Sequence, residues 1–114
     1  LQLKSEEDAV IANEVIGSIE FAAGDSDGTD GATVAAGIHA IAEGTFSASA
    51  NATKLVFTTG VSETAASSAT AKMTLSSAGN LTVAGTVTAD PTAILLIKNS
   101  SGSTLKTING IAAN

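Results

Sequence analysis

Three aspartates lie close together in a loop without any apolar side chain, and closely spaced carboxylates are ligands that Ca²⁺ prefers. They are Asp25, Asp27 and Asp30, within residues 24–31. A twelve-residue calcium loop needs glycine at its sixth position and an acid at its twelfth. Counted from Asp25, these positions hold Asp30 and Ala36. The register fails, and the pattern favours a solvated turn in which aspartates bond nearby backbone amides.

The single histidine is the second residue that could bind a metal. His39 lies between Ile38 and Ala40 in a candidate strand. One imidazole does not make a metal site in one chain, but three copies on the axis of a trimer would offer three good ligands. Two interpretations stay open here, an ordinary packed or edge histidine and an axial ligand. We expect the former, with no metal and no cofactor.

The sequence indicates no enzyme and no catalytic residue. A serine or threonine nucleophile needs a base, yet His39 is the single imidazole and no nucleophile-elbow motif accompanies it. Glycoside hydrolysis needs paired carboxylates in a cleft, whereas the acidic run of Glu6, Glu7 and Asp8 is typical of a solvated surface. The chain has no Trp or Tyr to stack on a sugar. The sequence therefore does not favour a sugar-binding role.

Large apolar side chains are scarce. Hydrophobic residues make up 44% of the chain, but many are alanine, with three Phe and one Met. Burial of a large apolar side chain contributes roughly 1.5–3 kcal/mol, while ordering one residue costs roughly 1–2 kcal/mol in backbone entropy. A single copy is therefore expected to be marginally stable. Burial against identical copies would supply more apolar contact.

Charge argues against nucleic acid and membrane partners. Eleven acidic residues against five lysines give a net charge of −6, which repels phosphate backbones. No apolar run approaches the roughly 20 residues that cross a bilayer. Zero cysteine removes disulfides and thiolate metal sites. Because the first residue is Leu1, we expect a processed chain or a segment of a longer one.

Alternation of apolar and polar residues predicts strands over residues 15–23 and 54–59. Residues 33–43 are alanine-rich, but Gly37 in their middle favours strand over helix. Phe21 and Phe57 each lie on the apolar side of an alternating strand. Both are predicted to be buried, with a cost of roughly 3–5 kcal/mol for replacement by alanine.

Two hairpins are predicted in the remainder of the chain. Turn residues 77–80 separate the arms 73–75 and 81–83, and turn residues 99–103 separate the arms 94–98 and 104–108. The sequence thus predicts an all-β fold of short antiparallel strands and hairpins. Its expected units are residues 1–90, a β module, and residues 91–114, a C-terminal β-hairpin and tail.

An ordered series of motifs resembles the fibre proteins of tailed phages, especially those of marine phages. The series covers roughly residues 1–87. It comprises the segments 13–21, a Gly/Asp loop, 32–36, 40–46, 51–53, 55–57 and 73–83. Many such fibres continue into a self-cleaving chaperone domain, which residues 92–114 do not resemble.

This resemblance implies a structural virion protein, one segment of a homotrimeric tail fibre or capsid-attached fibre involved in host attachment. It also implies that residues 1–90 are a fibre-like β module and that the all-β fold is part of a trimeric fibre-like module. The expected partners are two further copies, other phage virion proteins and a host surface glycan or receptor, and the expected location is the virion. The alternative is a bacterial surface adhesin repeat or a capsid decoration protein.

Overall fold

The structure, a computed structural model, describes residues 1–24, 33–61, 64–88 and 94–109. Within these ranges the chain forms antiparallel strands and no helix, which confirms the predicted all-β class. The strands are β1 (Val15–Ala22), β2 (Val34–Ala42), β3 (Thr53–Thr59), β4 (Met73–Leu75), β5 (Leu81–Val83), β6 (Ile94–Lys98) and β7 (Thr104–Asn109). Every strand predicted from the sequence is present, including β2.

Strands β1 to β5 form one sheet in sequence order, and each strand is antiparallel to its neighbours. The pairing of β2 with β3 is regular from Ala36↔Thr59 to Ala42↔Thr53. The register of β1 on β2 shifts between Val15 and Gly17, and again after Phe21. Because side chains alternate along a strand, this meander has two distinct faces.

The β4–β5 hairpin turns where the sequence placed it. Gly79 has a φ of 81°, a conformation that a residue with a Cβ rarely adopts. Its N–H donates to the Ser76 carbonyl (2.9 Å), while the Asn80 N–H donates to Ser76 Oγ (3.1 Å). The glycine and the serine hydroxyl together hold the two short arms in register.

The β6–β7 hairpin forms a separate two-stranded sheet. Asn99 Oδ1 accepts hydrogen bonds from the backbone N–H groups of Ser101 (3.1 Å) and Ser103 (2.9 Å), and Gly102 has a φ of 86°. Leu105 and Ile108 on β7 are exposed. An isolated hairpin is marginal in water, and the two exposed side chains leave apolar surface on this one that a further contact would bury.

The segment before β1 is held to the end of β2 by backbone hydrogen bonds. The Ala42 N–H donates to the Glu14 carbonyl (2.9 Å), and the Asn13 N–H donates to the Ala42 carbonyl (2.8 Å). Further along, the Phe46 N–H donates to the Val10 carbonyl (2.8 Å). Ile41 and Ala42 are accordingly buried.

The prediction that Phe21 is buried is wrong for the single chain, and Phe57 is half-buried. Phe21 lies in β1 as expected but is 55% exposed. On β3 the buried side chains are Val56 and Thr58, on the opposite side from Phe57. The reason is that the connection after β3 crosses the Thr58 side of the sheet, where Ala65 is fully buried. Alternation assigned the side chains to the correct faces, but the face that the chain covers is that of Val56 and Thr58, not that of Phe57.

Candidate functional site

One face of the five-stranded sheet is apolar from edge to edge. Residues that are directly opposite in an antiparallel ladder point to the same side, so the register defines two rows of side chains across all five strands. The first row is Gly17, Ala40, Leu55, Leu75 and Leu81. The second row is Ile19, Ile38, Phe57, Met73 and Val83. These two rows, together with Phe21, are called the apolar face.

The described chain leaves much of the apolar face in contact with solvent. Five side chains of the two rows are exposed, from 37% at Val83 to 63% at Leu81, with Ile19, Leu55 and Leu75 between them. Neither row contains a charged or hydrogen-bonding side chain. Contiguous exposed apolar surface of this kind marks an interaction site more often than scattered single residues do.

A small pocket lies within the apolar face, at its β1 side. It has a volume of about 140 Å³. Its larger lining residues are Leu3, Ile16, Ile19, Ile38 and Leu55. Leu3 packs directly on Gly17, where an added Cβ would lie 3.0 Å from the Leu3 Cβ. Gly17 therefore lets the N-terminal segment form one wall of the pocket.

The opposite face carries a buried hydrogen-bond network centred on His39, which is fully buried. The His39 Nδ1 is 2.7 Å from Ser18 Oγ, and its Nε2 is 3.0 Å from Thr58 Oγ1. The Thr58 hydroxyl donates in turn to the Ala65 carbonyl. Since Thr58 has one hydroxyl proton, its oxygen accepts from Nε2–H. With that tautomer, Nδ1 accepts from the Ser18 hydroxyl.

This network connects three strands and the segment after β3, and it explains a glycine in the middle of β2. A Cβ built on Gly37 would lie 2.4 Å from His39 Nε2 and 3.1 Å from Thr58 Oγ1. The imidazole therefore lies over Gly37, in space that any side chain would occupy. Alternation in the sequence puts Ser18 and Thr58 on the sides of their strands opposite the apolar residues. It does not show that both lie next to His39.

Ser18 and His39 do not form a catalytic pair of the usual kind. The imidazole is inaccessible to a substrate, and its second nitrogen is bonded to Thr58 rather than to an orienting carboxylate. Both nitrogens are engaged within the chain, so neither is available as a metal ligand. The interpretation of His39 as a packed histidine is therefore supported, and the axial-ligand alternative is not.

Glu43, just after β2, binds the start of the β4–β5 turn. Its Oε2 accepts from the Ser77 N–H at 3.1 Å. Hydrogen bonding from the Ser77 side chain and then from its backbone lowers the pKa of the Glu43 carboxyl below its usual value, against a smaller opposing effect of burial. This contact holds the turn of the β4–β5 hairpin to the residue that follows β2.

The other residues singled out in the sequence contribute no site in the described chain. Asp25, Asp27 and Asp30 lie outside the described residues, as does the C-terminal end 110–114. Glu6 and Glu7 are exposed. Among the described residues no group of three His, Cys, Asp or Glu is placed to hold a metal ion. That part of the chain also contains no helix long and apolar enough to cross a membrane.

Comparison with known proteins adds no family assignment. No protein-family model matches the chain, and no curated protein matches it.

Proposed function

We propose that the chain is a non-enzymatic structural protein of the virion, one segment of a homotrimeric fibre on a tailed phage, attached to the tail or to the capsid. The observation that carries this proposal is the apolar face, two charge-free rows of side chains that span the whole sheet. A protein that acts alone in water has little use for such a surface. A subunit of an obligate assembly requires one.

Two further features support an assembly role. The β6–β7 hairpin exposes Leu96, Ile97, Leu105 and Ile108, so it too has apolar surface that a neighbouring chain would bury. The buried polar groups are hydrogen-bonded within the chain: no buried side-chain nitrogen or oxygen of the described residues lacks a partner. These buried polar groups therefore need no further partner, and the surfaces available for an assembly role are the exposed apolar ones.

The resemblance of the motifs to those of marine phage fibres supports a location in the virion, where the fibre would contribute to host attachment. Other virion proteins at its ends and a host surface glycan or receptor beyond its tip are the partners of such a segment. Its mechanism is assembly, not turnover.

Two measurements test the proposal. Light scattering coupled to size exclusion should give about 33 kDa, three times the 11.1 kDa of one chain. Antibodies against the purified chain should label fibres on phage particles in electron micrographs. A monomer at every concentration overturns the trimer. Labelling of bacterial cell surfaces without particles favours the adhesin alternative, and labelling spread evenly over capsids favours a decoration protein.

A further inference from the structure

We infer that the apolar face is the surface through which copies of this chain pack on one another, with the pocket beside Leu3 receiving an apolar side chain of a neighbour. This inference rests on the proposed assembly function and specifies the surface that performs it. The β6–β7 hairpin is a second apolar surface, so a trimer alone does not identify which part of the chain forms the subunit contact.

The amount of exposed apolar surface fits a contact between subunits. An aromatic side chain carries roughly 150–250 Å², and the aliphatic side chains lie near the lower end of that range. The exposed fractions of Ile19, Phe21, Leu55, Leu75, Leu81 and Val83 therefore correspond to roughly 500 Å². That is near the upper end of the largest patch on a typical monomer, roughly 300–600 Å². It is also more than half of the roughly 800 Å² that each partner contributes to a standard interface. The half-buried Ile38, Phe57 and Met73 lie between these residues and extend the patch without interruption.

The chemistry of the face identifies its occupant as another copy of the chain. Neither row has a charge with which to pair an acidic or basic partner. The net charge of −6 disfavours anionic lipid surfaces, and the absence of Trp and Tyr removes the residues that usually anchor proteins at a bilayer interface. An identical apolar face satisfies these constraints. Because neither row contains a charged residue, copies that pack through these rows bring no like charges together.

The pocket is the point of the apolar face at which a side chain of a neighbouring copy would insert. At about 140 Å³ it is close to the size of engineered apolar cavities that hold one benzene ring, roughly 150 Å³, and so it admits one large side chain. Energetically dominant interface residues are typically apolar or aromatic groups that fill such pockets near the centre of a contact. Leu81 and Phe21, the most exposed residues of the apolar face, are available on each copy as the inserting group.

Adjacent residues of β5 provide a matched test, because Leu81 lies on the apolar face and Thr82 on the other, and both are exposed. We expect L81K to reduce the trimer to monomers or to raise its dissociation constant at least tenfold. T82K, with the same change of charge on the same strand, should assemble like the wild type. Light scattering gives the mass, and circular dichroism checks that the β signal is kept.

Cysteine labelling tests the same inference if L81K fails to fold. The chain has no cysteine, so L81C and T82C each introduce a single thiol. We expect alkylation of L81C by a maleimide to be at least tenfold slower in the trimer than after dilution to monomer, and alkylation of T82C to be equally fast in both.

The outcomes separate this inference from the proposed function. A wild-type trimer with L81C alkylated as fast as T82C overturns the inference and leaves the fibre proposal standing. A wild-type chain that is monomeric throughout overturns both. A monomer whose L81C thiol becomes protected on addition of phosphatidylcholine vesicles assigns the face to a lipid surface, which also overturns the inference.

Discussion

Replacing Gly37 by alanine should disrupt the buried face of the sheet. The added Cβ would lie 2.4 Å from His39 Nε2 and 2.5 Å from Cε1, well inside any tolerated carbon contact. The neighbour is a ring that is fully buried and bonded at both nitrogens, so it has no free space to rotate into. Displacing it breaks the hydrogen bonds to Ser18 and Thr58 together.

The expected loss follows from those contacts. Two hydrogen bonds contribute roughly 0.5–1.5 kcal/mol each, and overpacking a well-packed region costs typically 1–3 kcal/mol. We therefore expect G37A to lower the free energy of unfolding by about 2–6 kcal/mol. Urea unfolding followed by far-ultraviolet circular dichroism measures this, since the chain has no Trp or Tyr for fluorescence. Protein concentration must be equal for all variants, so that the proposed assembly would affect the stability of each one to the same extent.

Two controls make the result decisive. An alanine at Gly44 meets nothing within 4 Å, so G44A should change stability by less than about 0.5 kcal/mol. In a background that carries H39A, G37A should cost much less than in the wild type, because the imidazole is gone and only the 3.1 Å approach to Thr58 Oγ1 remains. A cost of 2 kcal/mol or more that persists in that background would refute the role of His39.

The remaining predictions concern other parts of the chain. E43Q should flatten the acid limb of stability: a carboxyl whose folded pKa is lowered by Ser77 stabilises the fold above its unfolded pKa and loses that contribution as pH falls through the folded pKa. Melting temperatures of E43Q and wild type should therefore differ most at neutral pH and converge in acid. F21A should lower the free energy of unfolding of the monomeric chain by less than about 1 kcal/mol, because Phe21 is more than half exposed. A loss of about 3 kcal/mol would instead support the burial that the sequence predicted. Calcium added to chelator-treated protein should leave the melting temperature unchanged, and a large saturable rise would reveal a site at Asp25, Asp27 and Asp30.

Local patterns in the sequence were sufficient to predict the strands. The alternation around Phe57, the glycine at position 37 and the turn around Gly79 are all local signals, and each element they indicated is present. The candidate site could be predicted in part, because the same alternation placed Phe21 and Phe57 on apolar sides of their strands. The side of the sheet that the chain covers is not a local property. It depends on the path of the connection that brings Ala65 over Thr58.

The His39 network escaped prediction for a related reason. Ser18, His39 and Thr58 are each unremarkable within their own strands, and they meet because β2 pairs with both β1 and β3 in one register, Ser18↔His39 and His39↔Val56. A shift of one residue in either pairing would reverse which face a side chain occupies. The network therefore depends on register between strands, which a single sequence specifies only through the whole sheet.

The two faces of the sheet are stabilised in different ways. Changes on one face should therefore affect folding, and changes on the other should affect the proposed assembly. On one face the polar groups are satisfied by hydrogen bonds inside the chain, from Ser18 through His39 and Thr58 to the Ala65 carbonyl. A hydrogen-bonded network gains little from a further partner, since its donors and acceptors are already used. On the other face Leu55 and Leu81 gain stability only when another surface removes them from water. Changes at Gly37 or His39 should therefore lower stability at every protein concentration, whereas changes at Leu81 should act through the concentration dependence of stability.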